Sequence, residues 1–261
     1  MAVFYDQLNK AVNLPAVPKR IISVVPSQTE LLFYLGLTFE VIGITKFCIH
    51  PVNRFKSTAK VGGTKQLNIN QIKKLNPDLI IANKEENDQQ QIEQLTTICP
   101  VWISDISNLD EALDMIVKVG ALTDRTTQAQ ALSEAIKQQF NQLTIPPLNL
   151  STAYLIWRKP YMAAGKQTFI DDMLHYCGLE NAFNETRYPE IIPKMLVDAN
   201  PGVILLSSEP YPFAQKHISE LKVIVSDAKI VLVDGEVFSW YGSRLLHAPA
   251  YFRQLIAEIT A

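Results

Sequence analysis

Residues 75–81 read LNPDLII and residues 199–205 read ANPGVIL. In each stretch an Asn-Pro pair, which ends a helix, leads into an apolar run that is typical of a buried strand. The two prolines lie 201 − 77 = 124 residues apart. A second pair of similar stretches, YLGL at 34–37 and YCGL at 176–179, occurs in the same order with an offset of 142 residues. Together the two repeats predict two similar lobes.

Around these stretches, short apolar runs alternate with helical segments along most of the chain. This alternation predicts α/β lobes whose sheets are mostly parallel and covered by helices. Ser27 or Thr29 is the predicted N-cap of the first helix, which should stop at Gly36. Strands are predicted over residues 21–25, 41–45, 78–82, 101–104, 153–157, 203–206 and 230–233, and helices over residues 30–36, 70–75, 89–97, 109–119, 170–177, 250–259 and from Met195 onward.

The alternation is interrupted by one long helical pattern. It runs from Thr123, a predicted N-cap, to Leu143, and Pro146-Pro147 follow it. A helix of roughly 20 residues is about 30 Å long, enough to cross a small domain. The spacing fits an ordinary amphipathic helix and a rigid connector equally well. Taking the connector, we predict a first lobe over 1–122, a backbone helix over 123–147 and a second lobe over 148–261, with a small-molecule site in the cleft between lobes.

Composition excludes several classes of protein. The net charge is −2 and there is no run of basic residues, which argues against general nucleic-acid binding. No apolar stretch approaches the ~18 residues of a transmembrane helix. The opening residues MAVFYDQLNKAVNLPAVPKR lack the pattern of a signal peptide, so either none is used or it lies outside this sequence. Cys48, Cys99 and Cys177 form no CxxC pair, which favours reduced thiols over disulfides.

Six stretches carry a resemblance to a known family and follow one another in the family's order: DQLNKAVNLPAVPKRIISVVPSQTELLFYLGL, VIGITKFCIHP, KVGGTKQLNINQIKKLNPDLIIA, KQTFIDDMLHYCGLENAF, ANPGVILL and VDGEVFSWYGSRLL. They resemble the substrate-binding proteins of ABC importers for vitamin B12, haem and iron-siderophores, and most of all the vitamin B12-binding branch. The resemblance implies an α/β fold of two similar lobes with mostly parallel sheets, joined by a single long backbone helix, with the ligand cleft between the lobes.

The resemblance also implies a function. The chain is expected to be a binding protein, not an enzyme, without an intrinsic cofactor, that takes a cobalamin-like corrinoid, haem or a ferric siderophore. It is expected to be a periplasmic monomer that docks on an ABC permease and binds no nucleic acid. Asn70 and Lys194 stand where the family carries docking glutamates, which would weaken docking. The alternative is an intracellular corrinoid or metal carrier or sensor that does not dock.

In this family, loops that follow the strands line the cleft, as is usual for open α/β sheets. Aromatic rings there would stack on a flat ligand, and cations would grip its carboxylates. The resemblance places Thr64 and Asn83 at two positions where the vitamin B12-binding branch carries tryptophan. The pocket of this chain should therefore be more polar. The predicted ligand-binding residues are Lys46, Phe47, His50, Thr64, Lys65, Lys84 and Glu85 in the first lobe, and Trp157, Arg158, Tyr188, Trp240, Tyr241 and Arg244 in the second.

Cys48 and His50 allow three interpretations. A thiolate and an imidazole suit zinc or a similar metal, which makes both residues candidate metal ligands. A catalytic pair would also need an orienting third group, and none is identifiable. In the third interpretation, Cys48 packs as a small buried residue while Lys46, Phe47 and His50 form one wall of a pocket. We favour the pocket wall, and the other two interpretations stay open from the sequence.

Overall fold

The computed structural model describes residues 2–261, and the chain divides into two compact units. This agrees with the two α/β lobes predicted from the repeats. The first unit contains the residues up to Asp105, Asp110–Lys137 and Tyr241–Arg244, and the second contains Ile106–Leu109, Gln138–Trp240 and Leu245–Ala261.

The first unit is built on a five-stranded parallel sheet. Its strands lie in the order β5-β4-β3-β6-β7. They are β3 (Ile21–Ser23), β4 (Val41–Ile44), β5 (Ala59–Lys60), β6 (Leu79–Asn83) and β7 (Val101–Ser104). The chain begins with an antiparallel hairpin of β1 (Ala2–Tyr5) and β2 (Ala11–Leu14), which the sequence patterns did not predict. Since every neighbouring pair in the five-stranded sheet is parallel, the carboxyl ends of all its strands share one edge.

Helices connect and follow these strands: α1 (Pro26–Tyr34), α2 (Val52–Ser57), α3 (Ile69–Leu75), α4 (Gln89–Thr96), α5 (Leu109–Leu122) and α6 (Thr126–Asn141). Aliphatic side chains of β3, β6 and β7 pack with Ile72 of α3 and Leu95 of α4 in one core. No residue of α2 is buried. The division between the units falls within α6, because Lys137 belongs to the first unit and Gln138 to the second.

The second unit has a mixed sheet in the order β11-β9-β8-β12-β13, with β10 also paired to β8. Strands β8, β10, β12 and β13 are mutually parallel, while β9 and β11 add antiparallel pairs. The elements are β8 (Leu150–Trp157), β9 (Tyr161–Ala163), α7 (Phe169–Tyr176), β10 (Leu179–Asn181), β11 (Glu190–Ile191), α8 (Pro193–Ala199), β12 (Val203–Ser207), α9 (Gln215–Ile224), β13 (Lys229–Val233), α10 (Gly235–Ser239), a 3-10 turn (Ser243–Leu246) and α11 (Ala248–Thr260).

The repeated Asn-Pro pair has the same structural role in both units. Asn76 ends α3 and Asn200 ends α8, each in the left-handed conformation with φ of 47° and 42°. Asparagine tolerates this conformation better than most residues. The following prolines, Pro77 and Pro201, are buried and cannot continue a helix. Each pair thereby turns the chain from a helix into an inner strand, β6 or β12.

Two predicted helix starts are wrong. α1 begins at Pro26, behind Val25, and the hydroxyl of Thr29 donates back to the carbonyl of Val25 at 2.8 Å, so neither Ser27 nor Thr29 is the N-cap. Proline at the first helical position needs no hydrogen-bond partner, which explains the earlier start. The hydroxyl of Thr123 donates to Val119 at 2.7 Å inside the preceding turn. Because Asp124 has a φ of 58°, α6 starts only at Thr126.

Within residues 2–261, every helix falls short of the length and apolar character that crossing a bilayer requires.

Replacement of Asn200 tests the role of the left-handed caps. Asn200→Ala should lower the free energy of unfolding by about 1 kcal/mol, because alanine keeps the Cβ that disfavours this conformation but lacks the polar side chain that lets asparagine tolerate it. Asn200→Gly should cost at most a few tenths of a kcal/mol, because glycine adopts positive φ without strain. Urea unfolding of the two variants measures the difference, and equal losses for both would contradict the account.

Candidate functional site

Three loops meet at the carboxyl edge of the first sheet, and direct hydrogen bonds connect them. The amide of Lys46, after β4, donates to the carbonyl of Gly62, after β5, at 2.8 Å. The side-chain amide of Asn87, after β6, donates to the carbonyl of Thr64 at 3.0 Å. Lys65 donates to the carbonyl of Asn87 at 3.3 Å. The loops predicted to converge therefore form one connected surface.

Two buried asparagines organise the loop after β6. Asn83 donates to the hydroxyl of Ser104 at 3.0 Å, while its carbonyl oxygen accepts from the amides of Glu85 and Glu86 at 2.8 and 2.9 Å. Asn87 accepts from the amide of Asn83 at 2.8 Å. Asn83 is 2% exposed, so its side chain holds the loop in place and presents no open surface.

Phe47 presents an open ring on this surface. Half of its area is exposed, and a Cβ at Gly63 would lie 3.2 Å from the ring. Glycine at that position therefore lets the backbone pack directly under the phenyl group. The ammonium of the exposed Lys46 lies 5.0 Å from the ring centroid, within the range of a cation–π contact. A flat ligand would find an aromatic face and a cation side by side.

Cys48, next to that ring, faces inward. Its sulfur is completely buried and lies 3.1 Å from the hydroxyls of both Thr29 and Thr45. Burial raises the pKa of the Cys48 thiol, so the group stays protonated, whereas metal binding and nucleophilic attack require the thiolate. These surroundings favour the packing interpretation of Cys48. Among residues 2–261, no three His, Cys, Asp or Glu side chains are grouped to hold a metal ion.

The other predicted residues of the first lobe lie on the same loops. His50 is partly exposed and precedes Pro51 through a cis peptide bond. Lys84 pairs with Asp105 at 2.5 Å. Lys65 also donates to the carbonyl of Glu85, so its ammonium joins two loops of the protein. Lys46 is thus the predicted cation of this lobe that is not engaged with an oxygen atom in the described contacts.

In the second unit, Trp157 is the last residue of β8 and Arg158 follows it. The indole of Trp157 is 40% exposed and meets Tyr211 edge to face, with ring centroids 5.7 Å apart. The guanidinium of Arg158 binds one carboxylate oxygen of Glu220 through two nitrogens, at 2.9 and 2.7 Å. Trp157 therefore offers an open aromatic face, while Arg158 already has a carboxylate partner.

Trp240 and Tyr241 were predicted as open stacking surfaces, but the structure places both in the interior. Trp240 is 4% and Tyr241 6% exposed. The indole N–H of Trp240 donates to a carboxylate oxygen of Glu209 at 2.8 Å, and Ser239 donates to the same oxygen at 2.7 Å. Burial raises the pKa of the Glu209 carboxyl, although these two hydrogen bonds act in the opposite direction.

Arg244 and Tyr188 complete the predicted set. Arg244 makes a bidentate ion pair with Glu30 of α1, at 2.9 and 3.2 Å, and both side chains are largely shielded from solvent. The contact joins two residues of the first unit that are 214 positions apart in sequence. Tyr188 lies just before β11 and is partly exposed. Arg158 and Arg244, the two arginines predicted to bind the ligand, therefore each form an ion pair with a glutamate of the chain.

Glu209 and Tyr211 were missed by the sequence patterns, although the repeat contained a signal for them. Adding the offset of 124 to Glu85 and Asn87, which lie in the loop after β6, gives positions 209 and 211 in the loop after β12. The two loops leave equivalent inner strands. Applying the repeat beyond the strand itself would have identified both residues.

Three comparisons relate the chain to known proteins. Residues 21–222 match the family described as periplasmic binding protein. A vitamin B12-binding protein of Pectobacterium carotovorum is 24% identical over 254 residues, covering 94% of this chain and 90% of the relative. The apo periplasmic haem-binding protein from Roseiflexus sp. RS-1 superposes with a TM-score of 0.80 at 20% identity, over 93% of this chain and 99% of that one. An ABC-type Fe3+-hydroxamate transport system from Saccharomonospora viridis gives 0.75 at 15% identity, over 100% and 99%.

Glu209→Gln tests the partly buried carboxyl. A carboxyl whose pKa is raised by folding stabilises the fold most below its unfolded pKa, and this contribution is lost as the pH rises through the folded pKa. Glutamine keeps an acceptor for Ser239 and Trp240 but carries no charge. The unfolding free energy of the variant should therefore increase relative to the parent as the pH rises from about 4 to about 7.

Urea unfolding at both pH values measures this change. Glu180→Gln, at an exposed position of the same unit, is the matched control and should show a smaller change. A Glu209→Gln variant with the same relative stability at both pH values would contradict the assignment.

Proposed function

The chain belongs to the periplasmic binding protein family, and from that membership we propose that it binds a metal-containing small molecule for ABC-type import. The proposed ligand is a cobalamin-like corrinoid, haem or a ferric siderophore. The vitamin B12-binding relative, matched over nearly the whole chain, supports the corrinoid. The haem-binding and Fe3+-hydroxamate structures support the fold in which such ligands are held.

The observation that carries the proposal is the connected set of loops with the open ring of Phe47. Loops after β4, β5 and β6 are held together by hydrogen bonds within the protein. Such preorganisation limits the entropy that binding would cost. Phe47 and Trp157 are both large apolar side chains that remain exposed at strand ends, where α/β proteins bind ligands. An exposed ring at the carboxyl edge of either sheet suits contact with a planar conjugated ligand.

Charge favours a corrinoid within this group. Arg158 and Arg244, the two predicted partners for ligand carboxylates, bind Glu220 and Glu30. A ligand carboxylate that bound either arginine would have to displace its glutamate, and the loss of that ion pair costs most at Glu30, which is largely shielded, and less at Glu220, whose side chain is 41% exposed. A ligand with neutral amide arms needs no such displacement. We therefore rank a corrinoid above a dianionic haem.

The proposed role is binding without catalysis. Cys48 is buried, and burial raises the pKa of its thiol, which argues against the nucleophile that the sequence suggested. We further propose that the protein acts as a periplasmic monomer. Size-exclusion chromatography and cell fractionation test those two parts, and a cytoplasmic location would instead support the intracellular carrier.

We propose that two residues of this chain weaken its docking on a permease. Asn70 is exposed on α3, and Lys194 is exposed on α8, where it pairs with Asp198 at 2.7 Å. Neither position offers the glutamate that permease arginines would bind in related proteins.

We call the connected loops that carry Lys46, Phe47, Thr64, Lys65 and Asn87 the ligand surface, and Phe47→Ser tests it. Isothermal titration with cyanocobalamin should give a 1:1 complex with the parent chain. Loss of the ring should weaken this binding at least about fivefold, because an aromatic contact contributes about 1 kcal/mol beyond its buried area. Haemin and a ferric hydroxamate are titrated in the same way, and the ranking above predicts weaker binding for haemin.

Phe39→Ser is the matched control, because Phe39 is 85% exposed and precedes β4 at the opposite edge of the same sheet. It should leave ligand affinity unchanged. Absence of binding by all three ligands to the parent chain, or equal losses for the two serine variants, would overturn the proposal.

Asn70→Glu/Lys194→Glu tests the docking positions. Each change supplies the carboxylate that the permease is expected to bind, so the double variant should stimulate the ATPase of a reconstituted vitamin B12 permease more than the parent chain does. The same stimulation by both proteins would contradict the weak-docking proposal, and ligand titration checks that the variant still binds.

A further inference from the structure

The charge of the chain is unevenly distributed along its first unit. Residues 41–77 contain seven lysines and arginines and no aspartate or glutamate, although the whole chain has a net charge of −2. This segment spans β4 to the end of α3. A segment whose charged side chains are all positive produces a local positive electrostatic potential, although the net charge of the whole chain is negative.

The fold gathers part of this charge at one edge of the sheet. Because all five strands are parallel, the residues that precede them lie together at the amino edge, opposite the loops of the ligand surface. We call the residues there the amino-edge face; they are Lys19 and Arg20 before β3, Phe39 before β4, Arg54 and Lys56 at the end of α2, and Lys73 and Lys74 in the last turn of α3.

The carboxylates of the neighbouring segments are already engaged. Glu40 pairs with Arg125 at 3.5 Å. Asp78 accepts hydrogen bonds from the backbone amides of Lys19 and Arg20 at 2.7 and 2.9 Å. These bonds leave the ammonium groups of Lys56, Lys73 and Lys74 without a carboxylate partner among the described contacts. The amino-edge face is therefore basic.

An aromatic ring projects from the same face. Phe39 is 85% exposed, and the guanidinium of Arg54 lies 5.8 Å from its ring centroid. A phenyl group this exposed contributes nothing to the core, and its apolar area stays in water. The combination of one projecting ring and surrounding cations is typical of a peripheral contact with a charged interface.

We propose that the amino-edge face binds an anionic lipid surface. Lysines attract anionic headgroups over a Debye length, and a phenyl ring can enter the boundary between headgroups and acyl chains. The cations come from three separate elements and spread along an edge, so they match a plane of charge better than one shaped partner. Phe39 is a single ring, whereas strand binding by nucleic-acid proteins uses several stacked aromatic side chains.

The contact adds to the proposed function, since it would hold the protein near the membrane that contains a permease without using the ligand surface. It does not depend on which ligand is bound. Phe39 and the lysines of α3 lie away from Phe47, so the two surfaces can be tested separately.

Vesicle sedimentation of the full chain tests the proposal. The parent chain should bind phosphatidylcholine vesicles that contain roughly one-third phosphatidylglycerol, and added salt should release it. Lys73→Glu/Lys74→Glu should lower the partition coefficient at least about 25-fold, since each lost cation costs about fivefold. Phe39→Ser should lower it about fivefold.

Matched variants separate this face from general charge and exposure. Lys137→Glu/Lys216→Glu carries the same net charge as the α3 variant, and Val223→Ser removes an apolar side chain that is 88% exposed in the second unit. Both should bind vesicles like the parent chain, as should Phe47→Ser. Equal binding to pure phosphatidylcholine, equal losses for the control variants, or tighter binding to duplex DNA at the same salt would overturn the proposal.

Discussion

A left-handed asparagine followed by a buried proline is the constraint on which both units depend. At Asn76 and Asn200 the chain leaves a helix and enters an inner strand of a sheet. This turn sets the residue at which the strand begins. It therefore also sets which residues lie at the carboxyl end of the strand. The loops after β6 and β12 occupy equivalent places because the same turn precedes both strands.

The conformation of the proposed ligand surface depends on polar side chains that are themselves buried. The side chains of Asn83 and Asn87 form hydrogen bonds with backbone groups of the loops. The hydroxyls of Thr29 and Thr45 contact the sulfur of Cys48. These contacts leave the Phe47 ring as the exposed part of an otherwise internal arrangement. Buried polar networks that are fully hydrogen-bonded favour one conformation, so the loops are preorganised by residues that need not touch a ligand.

The sequence was sufficient for the lobes, most strands and the convergence of the first three loops, because apolar runs and Asn-Pro pairs are local signals. It failed where a long-range partner decides the outcome. Arg158 and Arg244 looked available for a ligand, but Glu220 and Glu30 bind them from distant positions. Trp240 looked like a stacking surface, but Glu209 draws its indole inward. The start of α6 was misjudged because Thr123 makes its hydrogen bond within the preceding helix.

We propose that this chain binds a metal-containing small molecule on preorganised loops. Native mass spectrometry of the purified protein, incubated with cyanocobalamin, haemin and a ferric hydroxamate at equal concentrations, tests it most directly. The account predicts one 1:1 adduct, with the corrinoid preferred, that is reduced in Phe47→Ser. A spectrum that contains only the polypeptide mass under all these conditions would contradict it.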